Sequence, residues 1–140
     1  MESFQLDTGR RVEAIDLTGR VQETVAAAAV KDGLVVVSAG HTTVSLIVNE
    51  YVPDLMRNLE GWIERLVSRN DAYDHPSNAD AHLRAALFGS AVTLPVATGR
   101  VVLGTWQRVI MLEFDGPRRR TIHVQTVGGQ AAAATPENLT

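Results

Sequence analysis

The side chains able to do chemistry gather in a few places along the 140 residues. The first is the stretch from Gly40 to Asn49, GHTTVSLIVN, where His41, Thr42 and Thr43 follow the apolar run LVVVSA and precede the alternating run VSLIVN. Loops held by rigid strands are where binding and catalytic groups concentrate. A plain hairpin with a hydrogen-bonded histidine would read the same way. The second place is HPSNADAH, flanked by His75 and His82. Neutral imidazole is a common metal ligand, so His41, His75 and His82 could together hold zinc or a similar divalent ion with one position open. Their separation along the chain leaves that convergence to the fold. The fourth histidine, His123, lies in TIHVQTV and reads as a partly exposed strand residue. Thr121 and Gln125 are assigned to its face, and Ile122, Val124 and Val127 to the other.

Three carboxylates stand near these groups. Glu50 follows the VSLIVN strand, Asp54 sits in a first helical turn, and Asp80 is two residues before His82. A carboxylate beside a ligand histidine orients it, and several carboxylates facing a phosphate are the usual magnesium arrangement. Asp54 also suits any helix start, and Asp80 any helix N-cap. GTWQ, from Gly104 to Gln107, breaks an apolar strand with small and polar residues, as a bulge turned toward a ligand would. Trp106 as a core aromatic is the competing reading. Arg118 to Arg120 suit either anion binding or a solvated strand edge. No P-loop, GxGxxG, GxSxG or HExxH occurs, which removes the common nucleotide, hydrolase and zincin readings.

The bulk properties narrow the class. Hydrophobic residues make up 45% and charged residues 21%, a globular balance, and the length fits one domain. A net charge of −3 gives no electrostatic footprint for nucleic acid. The absence of cysteine excludes thiol catalysis and thiolate zinc sites. Lys31 is the only lysine, in KDG, which reads as a solvated helix end, so Schiff-base chemistry is disfavoured while arginine-based anion binding stays open. MESFQLDTGRR has no apolar signal-peptide core and no apolar run could span a bilayer, so a cytoplasmic protein without membrane partners is expected.

The positioning elements follow from periodicity. SFQLDT and RRVEAIDLT read as an opening antiparallel pair, Gly19 to Lys31 as a helix, and LVVVSA as a strand buried on both faces with VSLIVN beside it. Pro53 opens a second, amphipathic helix, PDLMRNLEGWIERLVSRN. A polar loop leads to a third, AHLRAALF, ended by Gly89. AVTLPVA, RVVLGTWQRVIMLEF and RRRTIHVQTV then read as successive antiparallel strands. This predicts a single α/β (α+β) domain over residues 1–128, mostly antiparallel sheet with a few packed helices, and an aperiodic, flexible tail over 129–140.

GHTTVSLIVNE together with DAHLRAALFGSAVTLPVATGRVVLGTWQRVIMLEFDGPRRRTIHVQTVG resembles the YjbQ-type family, also labelled secondary thiamine-phosphate synthase, from about Phe4 to Gly128. The ordered combination HTT, NE, AH, GS, LGTWQ is far more specific than any of its parts. The resemblance implies a compact fold assembled as a homotrimer, with a polar cleft near a subunit interface where the HTT and AH histidines bind a metal ion or an anion. The matching positions are His41, Thr42, Thr43, Asn49, Glu50, His82, Gly104, Thr105, Trp106, Gln107, Glu113 and Arg119, with His75 in the loop. The chain departs from the family pattern at Tyr51-Val52-Pro53-Asp54 and in the shortened loop HPSNAD, both at the presumed pocket rim.

The expected function is a metal-assisted enzyme, with zinc or magnesium, acting on a small phosphorylated or anionic metabolite. His41, His82 and Glu50 would be catalytic, and Thr42, Thr43, Asn49, Thr105, Trp106, Gln107 and Arg119 would bind substrate. Thiamine-phosphate synthesis, joining a pyrimidine diphosphate to a thiazole phosphate with loss of pyrophosphate, would be a secondary activity. A ligand-binding module or a structural homotrimer without turnover is the alternative.

Overall fold

A computed structural model describes residues 1–129. The elements run β1 (Glu2–Asp7), β2 (Glu13–Asp16), α1 (Thr18–Ala27), β3 (Asp32–Ala39), β4 (Val44–Asn49), α2 (Pro53–Leu66), α3 (Ala79–Phe88), β5 (Ala91–Ala97), β6 (Arg100–Val101), β7 (Arg108–Glu113) and β8 (Arg119–Gly129). The strands form two sheets, β1-β8-β3-β5-β6 and β2-β7-β4, and every pairing is antiparallel. This is the α+β architecture the pattern predicts. The tail expected over 129–140 lies outside the described residues except for Gly129, which pairs with Asp32 at the end of β8.

The period-2 alternation of β7 explains the layering. Val109 and Met111 face the larger sheet and join Val35, Val37, Ile122 and Val124 in one core, closed at one end by Leu17, Val21 and Val25 of the α1 region. Ile110 and Leu112, with Phe114 just beyond the strand, face the other way and pack against Met56 and Ile63 of α2 and Ala81 and Ala85 of α3. A strand buried on both faces reads as a continuous apolar run, which is what RVIMLEF shows. Full burial of each such side chain contributes about 1.5–3 kcal/mol.

Pro53 occupies the first turn of α2, where its fixed φ suits the helix and its missing N–H costs nothing, and Asp54 beside it complements the dipole. Gly89 ends α3 at φ +84°, a conformation that a side chain would strain. No helix among the described residues is long and apolar enough to cross a membrane.

Several expected neighbours separate. β1 pairs with β8 and β2 with β7, so the opening strands belong to different sheets rather than to one hairpin. β3 and β4 also part, and β3 lies between β8 and β5. β3 is buried on one face only: Val35 and Val37 are inside, whereas Leu34 is 48% exposed. The long strand expected over RVVLGTWQRVIMLEF breaks at residues 102–107 into β6 and β7, which enter different sheets. Val127 shares parity with His123 on β8 and lies outside, opposite Leu34, not on the Ile122 face. Local alternation fixes which residues face together but not which strands meet.

Candidate functional site

The ladder β4–β7 runs from Val44 opposite Glu113 to Asn49 opposite Arg108. These ends are roughly 17 Å apart at the usual rise of a strand. The predicted site residues divide between them. His41, Thr42 and Thr43 enter β4 at the Glu113 end, and His82 on α3 joins them. Asn49, Glu50, Thr105, Trp106 and Gln107 lie at or near the Arg108 end.

At the Glu113 end an open cleft of about 340 Å³ is lined by Gly40, His41, Thr42, Thr43, Asn78, His82, Asp115, Arg118 and Arg120. Three segments far apart in sequence supply these groups. Beneath it, Glu113 and Arg120 form an ion pair that joins the two sheets, with Arg120 Nε donating to Glu113 Oε1 at 2.8 Å. Both are buried, Glu113 completely. Thr8 Oγ1 donates to Glu113 Oε1, the backbone N–H groups of Phe114 and Asp115 donate to Oε2, and Arg120 Nη2 donates to Thr43 Oγ1 at 2.8 Å. A buried pair persists only when its remaining lone pairs and protons are matched, and here both Glu113 oxygens accept from further donors besides Arg120.

His41 is held from behind. The backbone N–H of Thr121 donates to its Nε2 at 2.8 Å. Partial burial lowers its pKa, the Arg120 charge lowers it further, and Glu113 opposes them without reversing the result. Asn78 Nδ2 and Arg118 Nη2 both donate to Asp115 Oδ2, at 2.9 and 3.0 Å. Burial raises the Asp115 pKa, but these hydrogen bonds and the Arg118 charge outweigh it, so its carboxyl titrates below the usual range.

His82 is carried by α3, whose start is anchored by Asp80. The Arg11 guanidinium donates to both Asp80 oxygens, at 2.9 and 3.1 Å, with Arg84 one turn along the helix. Burial works against the Asp80 charge, yet Arg11 and Arg84 hold its pKa below the ordinary value. Asp80 is thus not a side-chain N-cap, since Asn78 takes the cap position; it pins the helix to the loop before β2. His82 borders the main cleft and two adjoining hollows. His75 meets it in one of these, ring centroids 4.9 Å apart.

The expected three-histidine metal centre does not fit this donor set. The lone pair of His41 Nε2 is engaged by the Thr121 amide, leaving His41 no free ligand nitrogen without loss of a proton. Among the described residues no three His, Asp or Glu side chains are grouped as a metal site would need. His75 and His82 remain a pair.

Arg119 is also placed apart. It ion-pairs with Asp7 on the exposed surface, at 3.0 Å, while Arg118 and Arg120 border the cleft. The signal was present in the alternation: Arg120 shares parity with the buried Ile122 and Val124, so it had to point inward and find a carboxylate. Asn78 and Asp115 carried no comparable signal, because both lie in turns outside any period.

At the Arg108 end the polar groups close their own turns. Asn49 Oδ1 accepts from the Glu50 N–H at 2.8 Å. Gln107 Oε1 accepts from the Gly104 N–H at 2.8 Å, and the Gln107 N–H returns a bond to the Gly104 carbonyl. Trp106 stands 71% exposed at the tip, so it is not a core aromatic. None of Asn49, Glu50, Thr105, Trp106 or Gln107 lines the His41 cleft. A larger groove, about 430 Å³, runs along β1 and α1 and contains Arg20 stacked on Phe4, but no histidine. Size therefore does not single out the site; convergence of polar groups does.

A two-sheet α+β domain with a histidine- and arginine-lined cleft at one end of its smaller sheet is the class that these features define. The UPF0047 protein YjbQ-like family model matches residues 2–129, and the chain belongs to this family. A UPF0047 protein of Archaeoglobus fulgidus is 45% identical over 125 residues, covering 87% of this chain and 97% of its own. YugU of Bacillus subtilis, another UPF0047 protein, is 29% identical over 131 residues, 91% of this chain and 99% of its own. A YbjQ-like protein of unknown function from Sulfolobus solfataricus P2 superposes with a TM-score of 0.89 at 31% identity, covering 91% of this chain and 96% of that one. A hypothetical protein from Aeropyrum pernix K1 superposes with a TM-score of 0.88 at 38% identity, over 91% and 98% of the two chains.

Proposed function

We propose that the chain is an enzyme that binds a small phosphorylated or otherwise anionic metabolite in the His41 cleft, with His82 exchanging a proton with the bound molecule. One observation carries this reading: His41, Asn78, His82 and Arg118, from three separate segments, converge on one open cleft above a buried ionic floor. Arg118 is half-exposed at the cleft and held in place by its bonds to the Asp115 carbonyl and carboxylate, where its planar fork suits an incoming oxyanion. His82 has a side of its ring open to three adjoining spaces, as proton exchange with a ligand requires.

A phosphate is what the two thiamine-phosphate synthase substrates share with other phosphorylated metabolites, and that reaction is retained within the proposal as a secondary activity. A homotrimer is the proposed assembly. Leu34 (48% exposed), Pro95 and Val127 (59% exposed) form one exposed apolar row across three strands of the larger sheet, a surface that a second copy would cover.

The test is turnover by wild-type and His82→Ala on a panel of phosphorylated metabolites, including the pyrimidine diphosphate and thiazole phosphate pair. Product formed by wild type and lost in a folded His82→Ala supports the reading. Binding without product in both would make this a ligand-binding module, and equal turnover in both would remove His82 from the chemistry.

A further inference from the structure

The anion-binding reading leaves open what His41 itself does, and its hydrogen bond decides that. We infer that His41 is a fixed donor, a neutral imidazole with its proton locked on Nδ1, so that the ligand atom it meets is an acceptor oxygen of a phosphate or carboxylate. This inference rests on the proposed anion-binding function and specifies the polarity of one contact within it.

A backbone amide nitrogen donates and does not accept. Because the Thr121 N–H is directed at Nε2 from 2.8 Å, Nε2 must present its lone pair, and the proton of the neutral ring must sit on Nδ1. The bond exists because the ladder stops short. β3 ends at Ala39, opposite Ile122, so Thr121 is one residue past the last β3 pair and His41 takes up its amide in place of a strand. The neighbouring Arg120 is pinned to Glu113 and Thr43, which fixes this part of β8 and the amide with it.

Three features agree. His123 Nδ1 is the one buried side-chain nitrogen or oxygen lacking a partner among the described residues, so His41 Nδ1, which has no hydrogen-bond partner among the described residues, is open to solvent. Protonation of Nε2 would set N–H against N–H at Thr121. Of the charged and titratable groups that face the ring, Arg120 and His123 disfavour a second proton and Glu113 favours it; with burial the balance lies toward the neutral form. His41 is therefore neither the general base nor a metal ligand, and the proton-exchanging role falls to His82.

The tautomer is directly measurable by long-range ¹H–¹⁵N correlation on the uniformly ¹⁵N-labelled full chain at pH 7.5. The His41 signals are assigned by their absence in His41→Asn, or, should that variant not fold, by the nitrogen–nitrogen coupling across the Thr121 hydrogen bond. The expected result is a proton-bearing Nδ1 and a lone-pair Nε2. Inorganic phosphate should shift the Nδ1 proton without changing the tautomer, and zinc should leave Nε2 unmoved. A proton on Nε2, or a zinc-induced shift there, would overturn the inference. Phosphate that shifts His82 but not His41 Nδ1 would overturn the donor role and leave the anion-binding function standing. Phosphate that shifts neither would remove both.

Discussion

At one end of the β4–β7 ladder, polar side chains from distant segments face one another across a cleft; at the other, Asn49 and Gln107 spend their hydrogen bonds on their own turns. Both ends carry residue types able to bind a ligand, and both read alike as sequence. The difference is what lies beneath. The Glu113 end has a buried ion pair joining the two sheets, so the groups above it are fixed relative to each other before any ligand arrives. Such preorganisation is what makes a few hydrogen bonds effective in binding. Trp106, exposed at the tip of a turn, has no such support.

The largest expected effect comes from removing that floor. Glu113→Ala leaves Arg120 buried without its partner, a loss of about 3–5 kcal/mol for such pairs, read as a fall in the urea midpoint. A small change would mean that the pair is dispensable and that the contrast between the ends is not one of support. Next, Arg118→Ala should weaken phosphate binding by the value of a charge-assisted hydrogen bond, about 1.5–3 kcal/mol, or roughly ten- to a hundredfold by titration calorimetry. Arg119→Ala, which loses only its surface pair with Asp7, should leave that affinity unchanged.

Acid should loosen the cleft end in a defined window. The His41 pKa is lowered in the folded chain, whereas in the unfolded chain it takes the ordinary value of about 6.5. Above that pH both states are neutral there and the full contribution to stability is present. As the pH falls through 6.5 the unfolded chain gains a proton that the folded one does not, so stability drops until the folded pKa is reached. Urea midpoints at pH 7.5 and 5.5 should differ more for wild type than for His41→Asn. Asp80 and Asp115, whose pKa values are also lowered, act below this window, their contributions being lost as the pH falls from the ordinary carboxylate range. The smallest effect is expected at the other end: Trp106→Ala should change stability by no more than about 0.5 kcal/mol and leave phosphate affinity intact. A loss of binding there would join the two ends into one site.

Much of this was legible in the sequence, for identifiable reasons. The helices at Pro53 and before Gly89 announced themselves through a preset φ, a dipole-matched aspartate and a glycine stop. His41 and His82 are legible, although nothing local places them together; α3 does so by packing beside β4, where Ser45 Oγ donates to the Ala85 carbonyl and the Leu46 N–H to the Gly89 carbonyl, while the Arg11–Asp80 contact, which spans 69 residues, pins its start. Strand partners are not legible in this way, because pairing depends on long-range packing, while alternation reports only the faces of one strand. The motif points to Arg119, whereas parity with Ile122 points to Arg118 and Arg120, the two that border the cleft. The GTWQ turn looked like a ligand loop because a tight turn also calls for small and polar residues.

The central claim, that the Glu113 end alone is a binding site, is tested most directly by following backbone amide shifts while inorganic phosphate is titrated into the full chain. The account predicts saturable shifts at residues 40–43, at Asn78 and His82, and at residues 115–121, with residues 103–108 unmoved. Shifts centred on Trp106, or no saturable shifts at His41 and Arg118, would contradict it.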